Sequence, residues 1–368
     1  MNATLVSGIY PPDIGGPATF IPQFAKELIG QGHNVSVVSL RSPKLSQRQF
    51  TDWDEFFISR NIPLPIRFPL TVLRIIRVAR NSEVIFANGL HQEVAVANVF
   101  LRKRAVAKIV GDPVWERYVN RNKSSAEVIS LEEFGLSSQK TLERKFLTWS
   151  LNRYKGIITP GRSLEALIRA WGVSIPIHYL PNGTSRTNLN RVSQVKYDFV
   201  VVNRLVKWKN VDQAIRAISG TNFRLAVVGH GPELSNLSEL AARNQAKVEF
   251  LGNLSQDEVE QVMTQSNAFC LLSSYEGMSF SLLRAMMLGK PIIVSNIPAN
   301  TDVIDHNVTG IIVDASDLIQ IQEAFRQIMT GSQLSQKLGR NASKKAQKLY
   351  DLELVLKKTT QILTQDSK

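Results

Sequence analysis

Four short stretches of this sequence hold charged side chains or glycines of the kind that phosphate and polyol chemistry requires. In Asn203-Arg204-Leu205-Val206-Lys207-Trp208-Lys209-Asn210, an arginine and a lysine follow an apolar run. Arg204 and Lys209 in such a loop can neutralise a departing diphosphate without a metal, through charge-assisted hydrogen bonds. The plainer reading is an exposed basic loop. In Ser274-Tyr275-Glu276-Gly277-Met278-Ser279, a carboxylate precedes the backbone amides of a helix start. Gly15 and Gly16 open another helix. Glycines there let backbone approach a phosphate, and a helix N-terminus favours negative charge; the alternative is an ordinary turn. The fourth stretch, Val227-Val228-Gly229-His230-Gly231-Pro232-Glu233, is a further glycine turn into a helix.

Each stretch follows a predicted strand. The first half alternates ATLVSG, helix FIPQFAKELIGQG, NVSVVSL, EVIFAN, AVAKIVG, GIITP and PIHYLP, with helical patterns between most of them. Residues 41–63 are polar and irregular, an expected excursion from the sheet, and 120–140 lack periodicity, as a mobile loop would. The alternation restarts at YDFVVVNRL and runs through FRLAVVG, KVEFLG, AFCLLSS, PIIVSN and GIIVD. Strands alternating with helices imply parallel sheets with crossovers. The expected fold class is therefore α/β, with two Rossmann-like domains facing across a cleft. The first covers 1–190 and the second 197–348. A final helix over 349–368 packs back toward the first. Open parallel sheets bind ligands at the carboxyl ends of their strands.

The 368 residues exceed one ordinary core, and 43% hydrophobic with 20% charged residues is globular composition. Cys270 is the single cysteine, so no internal disulfide forms and a reducing compartment is expected. The N-terminus has no basic region followed by an apolar run, so no signal peptide is expected, and no apolar stretch suits a spanning helix. Net charge is +13 and uneven: residues 1–190 carry 24 basic and 14 acidic side chains, the remainder 20 and 17. Arg74, Arg77 and Arg80 recur at helical spacing, and Arg102, Lys103, Arg104 and Lys108 cluster nearby. Each cluster alone reads as a solvated face; together they favour an anionic membrane surface or anionic acceptor. Nucleic acid is not indicated, since no binding motif or aromatic interleaving accompanies them.

The order GGPATF, HYLPNG, NRLVKWKN, VVGHGPE, VEFLGNLSQDEV and SSYEGMSFSLLRAMMLGKPIIVS resembles glycosyltransferase family 4, the retaining group 1 enzymes of the two-domain GT-B fold. The match covers most of the chain and is strongest over 197–315. The segment KIVGDPVWERYVNRN looks like a subgroup of bacterial surface-polysaccharide transferases. The resemblance implies a nucleotide-sugar donor, a lipid-linked or glycan acceptor, no cofactor or metal, and a cytoplasmic site at the inner membrane face. Arg204 and Lys209 match the family's basic pair on the donor diphosphate. Glu276 matches the first glutamate of its E-x7-E motif, on the donor sugar. The amides of Gly277, Met278 and Ser279 lie near sugar and phosphate, and Gly15 and Gly16 lie beside the diphosphate. Two departures stand out. Gly111-Asp112 stands where many members place a histidine after a strand, so Asp112 is either a carboxylate that orients an acceptor hydroxyl or the donor sugar, or a helix cap before Pro113. Arg284 stands where the second motif glutamate accepts from ribose, and arginine only donates. It either donates to the ribose, base or phosphate, or marks a donor without ribose, or marks a degenerate site; the intact Glu276, Arg204 and Lys209 favour the first. His91 reads as a loop histidine. Asp52-Trp53-Asp54 resembles a metal-binding D-x-D triplet but has no strand before it. Two other classes remain: a nucleotide-sugar epimerase, which lacks this motif order, and a non-catalytic glycan- or partner-binding scaffold, which Arg284 would support.

Overall fold

The computed structural model describes residues 1–13, 15–41, 51–121, 141–185 and 194–365. Most of the expected loop at 120–140 and of the joint at 187–196 lies outside them. The chain forms two compact units, Met1–Leu180 with Leu354–Lys368, and Pro181–Glu353.

The first unit holds a parallel sheet of seven strands: β1 (Asn2–Ser7), β2 (Asn34–Arg41), β3 (Asp54–Ser59), β4 (Val84–Asn88), β5 (Arg104–Lys108), β6 (Gly156–Thr159) and β7 (Ile177–Tyr179), ordered β3-β2-β1-β4-β5-β6-β7. Its helices are α1 (Gly16–Gly30), α2 (Leu64–Ala79), α3 (His91–Leu101), α4 (Pro113–Arg121), α5 (Leu142–Leu151) and α6 (Arg162–Ala170). Strands β4 and β6 are buried along their whole length, as parallel strands covered on both faces must be. Phe20 and Phe24 of α1 pack against Phe86 of β4 at centroid distances of 6.0 and 5.0 Å. The segment expected as an irregular excursion contains β3, which pairs with β2 from Ser36↔Asp54 to Arg41↔Ser59. Its sequence, DEFFIS, shows little alternation because it is an edge strand with one buried residue. Asp54 of the D-x-D triplet is therefore the first residue of a strand, and the Trp53 indole donates to the Tyr10 hydroxyl at 3.0 Å.

The second unit holds six parallel strands: β8 (Tyr197–Val202), β9 (Arg224–Val228), β10 (Lys247–Gly252), β11 (Ser266–Leu271), β12 (Ile292–Ser295) and β13 (Ile311–Val313), ordered β10-β9-β8-β11-β12-β13. A 3₁₀ turn (Lys207–Lys209) leads into α7 (Val211–Ile218); α8 (Leu234–Arg243), α9 (Gln256–Thr264), α10 (Phe280–Met287), α11 (Pro298–Thr301), α12 (Leu318–Thr330) and α13 (Ser332–Leu349) follow. On one face Phe199 stacks on Phe325 of α12 at 4.0 Å; on the other Leu282, Leu283 and Met286 of α10 are fully buried. Burying each such side chain contributes about 1.5–3 kcal/mol. The last helix, α14 (Leu352–Thr364), starts in the second unit and continues in the first, where Arg104 donates to the carbonyls of Leu363 (2.7 Å) and Ile362 (3.0 Å). A cation there meets the unpaired carbonyls that end a helix.

In both sheets the chain winds one way from a central strand and then the other. The reversal falls between β1 and β4 in the first sheet and between β8 and β11 in the second. At such switch points the loops diverge and leave a crevice at the carboxyl ends.

Candidate functional site

Three of the loops singled out in the sequence converge at the switch point of the second sheet. The loop after β8 is pinned to the glycine turn after β9: Leu205 N donates to His230 O, and Glu233 N to Leu205 O, both at 3.1 Å. A Cβ at Gly229 would lie 1.9 Å from Asn203 O, and one at Gly231 2.1 Å from Leu205 O. These glycines are thus required by packing of one loop on another. On the other side Ser274 N donates to Trp208 O at 2.8 Å, and Asn210, in the left-handed region at φ 48°, reaches Leu272 O at 2.9 Å.

This bracing brings Lys209 and Glu276 together. Lys209 Nζ donates to Glu276 Oε1 at 2.5 Å, and Ser273 Oγ donates to the same oxygen at 2.7 Å. The two side chains are 15% and 9% exposed, sheltered yet reachable. Arg204 is exposed and makes no ion pair among the described residues. Ser279 caps α10 by accepting from Leu282 N at 3.3 Å. Met278 buries its side chain; its sulfur and carbonyl receive Asn182 N (3.1 Å) and Asn182 Nδ2 (3.2 Å). The site thus offers one carboxylate, two cations and a capped helix start. Asn203 was not singled out in the sequence. Both polar atoms of its side chain are buried beside this cluster without a partner among the described residues. Its signal was present, as a polar residue directly after a buried strand.

Arg284 does not extend freely from this site. Its Nη2 pairs with Glu260 of α9, while Nη1 donates to Ser185 O (2.6 Å) and Thr184 Oγ1 (3.3 Å). Thr184 in turn bridges to the end of α13, accepting from Leu352 N and donating to Tyr350 O. The expectation that this guanidinium donates to a ribose, base or phosphate therefore meets a side chain already engaged inside its own unit. Burial lowers its pKa, and Asp257 acts the other way.

The residues proposed in the first unit behave differently. Gly15 precedes α1, and no side chain caps that helix start; an added Cβ would meet only Ile9, at 3.7 Å. Arg60 braces the same loop, donating to Gly8 O at 2.8 Å and pairing with Asp13 at 2.7 Å. Asp112 has no exposed surface: Oδ1 accepts from Val114 N (2.9 Å) and Trp115 N (3.2 Å), and Oδ2 pairs with Arg144 at 2.5 Å. It is the helix cap, and the acceptor-orienting alternative finds no accessible carboxylate. The basic cluster also divides. Arg104 is spent on α14, and Lys108 is 1% exposed, inside the core. His91 is the first residue of α3, buried, with burial holding its pKa down to about 4.

The family model for glycosyl transferases group 1 matches residues 188–345, and that for glycosyltransferase family 4 matches 14–187. The chain is 30% identical over 156 residues to the D-rhamnosyltransferase WbpZ of Pseudomonas aeruginosa, 41% of each chain. It is 24% identical over 212 residues to N-acetyl-alpha-D-glucosaminyl L-malate synthase of Bacillus anthracis, 56% of this chain and 55% of that one. The matches thus span about half the length of these curated relatives. Among solved structures, Anabaena Alr3699/HepE in complex with UDP superposes with a TM-score of 0.78 at 16% identity, covering 99% of this chain and 100% of that one. Sucrose-phosphate synthase from Thermosynechococcus elongatus gives 0.78 at 17%, covering 98% of both. The two sheets, the convergent loops and the adjoining matches agree, and the chain belongs to the group 1 glycosyltransferases.

Proposed function

We propose that this chain is a retaining, metal-independent hexosyltransferase. It moves a sugar from a nucleotide diphosphate to a lipid-linked or glycan acceptor in bacterial surface-polysaccharide synthesis. The observation that carries the reading is the Lys209–Glu276 pair on adjacent strand ends, with Arg204 unpaired beside it. Glu276 presents acceptor oxygens for donor sugar hydroxyls, and Lys209 with Arg204 stabilises charge on the departing diphosphate. Donor binding exchanges the lysine's contact with the carboxylate for one with phosphate. The phosphate oxygen takes the acceptor proton on the same face, so no protein nucleophile or cofactor is invoked. The UDP and UDP-glucose complexes of HepE support a nucleoside diphosphate donor. The test is turnover with a labelled donor panel and lipid extract, with and without EDTA. Strict dependence on an added divalent ion would overturn the cationic assignment, and turnover of none of the donors would favour the scaffold.

A second element of the reading is docking on the cytoplasmic face of an anionic membrane. Exposed Arg74 and Arg77 occupy the last turns of α2 and exposed Arg80 caps its end, with exposed Leu64, Ile66, Leu70 and Leu73 in its earlier turns. Apolar side chains beside cations suit a helix lying on a lipid surface. Among the described residues no helix is long and apolar enough to cross a membrane. Sedimentation with anionic and neutral vesicles tests this element separately from catalysis.

A further inference from the structure

A row of polar side chains crosses the carboxyl end of the first sheet beneath α1. Register pairs Ser39 with Ser7 and Ser7 with Asn88, and Lys108 lies one position beyond the Ala87↔Ala107 pair. Partners in a parallel register point to the same face, and strands lie about 4.8 Å apart. Ser39, Ser7, Asn88 and Lys108 therefore stand side by side on the face that α1 covers. All four are buried. Ser7 Oγ donates to Ile9 O at 2.6 Å, but among the described residues Ser39 Oγ, Asn88 Nδ2 and Lys108 Nζ have no hydrogen-bond partner. Lys108 Nζ sits 3.6 Å from the centroid of the Phe20 ring.

Such a row is costly unless something answers it. Unpaired polar groups in a core lose the hydration they had in the unfolded chain, and an ammonium loses more. Two of the three orphaned atoms are nitrogen donors and the third is a hydroxyl. No carboxylate pairs with Lys108 among the described residues. Donors around a cation define a site for an anion. The face of Phe20 attracts the ammonium but supplies no net negative charge. Burial alone draws Lys108 down to about 7, and a bound anion would favour its charged form.

We propose that Asn88 and Lys108, side by side on the neighbouring strands β4 and β5, form an internal site for a small monovalent anion of the halide class, with Lys108 as counter-ion and Asn88 Nδ2 as directional donor. Occupancy ties the ends of β4 and β5 together under α1, the helix that Gly15 and Gly16 open. This site shares no residue with the Lys209–Glu276 donor-site reading.

The test uses the full chain. Melting is followed as chloride replaces gluconate at constant ionic strength, and crystals soaked in bromide locate the ion by anomalous scattering. Chloride should raise the melting temperature by at least about 3 °C, and bromide should lie against Lys108 Nζ. Lys108→Met should remove the chloride dependence. Asn88→Asp should remove it as well, because the new carboxylate becomes an internal counter-ion; this variant serves should Lys108→Met fail to fold. Bromide found only at surface arginines, or an undiminished chloride effect in either variant, would overturn the proposal.

Discussion

Two ion pairs of the same length occur one in each unit, each with a carboxylate just past a strand end. Asp112–Arg144 and Lys209–Glu276 both measure 2.5 Å. The first is sealed: its side chains are 0% and 1% exposed, the carboxylate caps α4, and the guanidinium lies 4.4 Å from the ring centroid of Trp171. The second stands at the surface of its crevice, and among the described residues its carboxylate accepts only from Lys209 and Ser273. A strand-end carboxylate is therefore not functional by position alone. What separates the two is whether the partner comes from the core or from a loop that a ligand can displace.

That contrast is broken most directly by removing one carboxylate at a time. Asp112→Ala should cost about 3–5 kcal/mol of stability, because it strands a buried guanidinium. Denaturant unfolding measures this. A stable Asp112→Ala protein with abolished turnover would return Asp112 to the acceptor site. Glu276→Ala should do the reverse: turnover falls by about 10²–10³-fold, or more, while the melting temperature stays near that of the parent. Lys209→Ala and Arg204→Ala should reduce turnover on the same scale. Full turnover in a folded Glu276→Ala protein would remove the carboxylate from the mechanism.

The comparison is sharpened at Arg284, which resembles the sealed pair although it belongs to the donor motif. Arg284→Glu would set a second carboxylate against Glu260 and remove the donors to Ser185 and Thr184. We expect nucleotide affinity to fall by at least about tenfold, roughly 1.4 kcal/mol, together with a lower melting temperature. Calorimetry with the uridine, guanosine, adenosine and thymidine diphosphates measures the first and thermal unfolding the second. Tighter binding by R284E would identify the arginine as a lost contact rather than a brace. The smallest effect per residue is expected at the surface: Arg74, Arg77 and Arg102 should each contribute about 1 kcal/mol to binding of anionic vesicles, lost as salt rises. Equal sedimentation with neutral vesicles would leave the charge asymmetry without a lipid role.

Much of this site was legible before any coordinates. Strands and the loops after them follow from apolar runs ended by glycine, asparagine or serine. The placement of Arg204, Lys209 and Glu276 past β8 and β11 follows from that alternation. Gly229 and Gly231 were legible as a turn, but their close approach to the Asn203 and Leu205 carbonyls was not, since it depends on β8 and β9 being neighbours. Asn203 was overlooked because its buried, unpartnered amide is a property of three loops meeting.

The sequence by itself determined the two α/β units, the parallel strands and the residues carrying charge at the strand ends. These are local properties: periodicity, turn chemistry and the order of motifs; the edge strand β3 lacks that periodicity and was not among the strands read. Only the tertiary structure decided which charges remain available. Lys108 and Arg104 sit in one basic run with Arg102 and Lys103, yet one is in the core and another holds the carbonyls of α14, more than 250 positions away. Asp112 met Arg144, 32 positions on, and Arg284 met Ser185, 99 positions back. A charge is silenced when burial removes water and a partner replaces it, and the partner's distance along the chain leaves no mark in a local pattern.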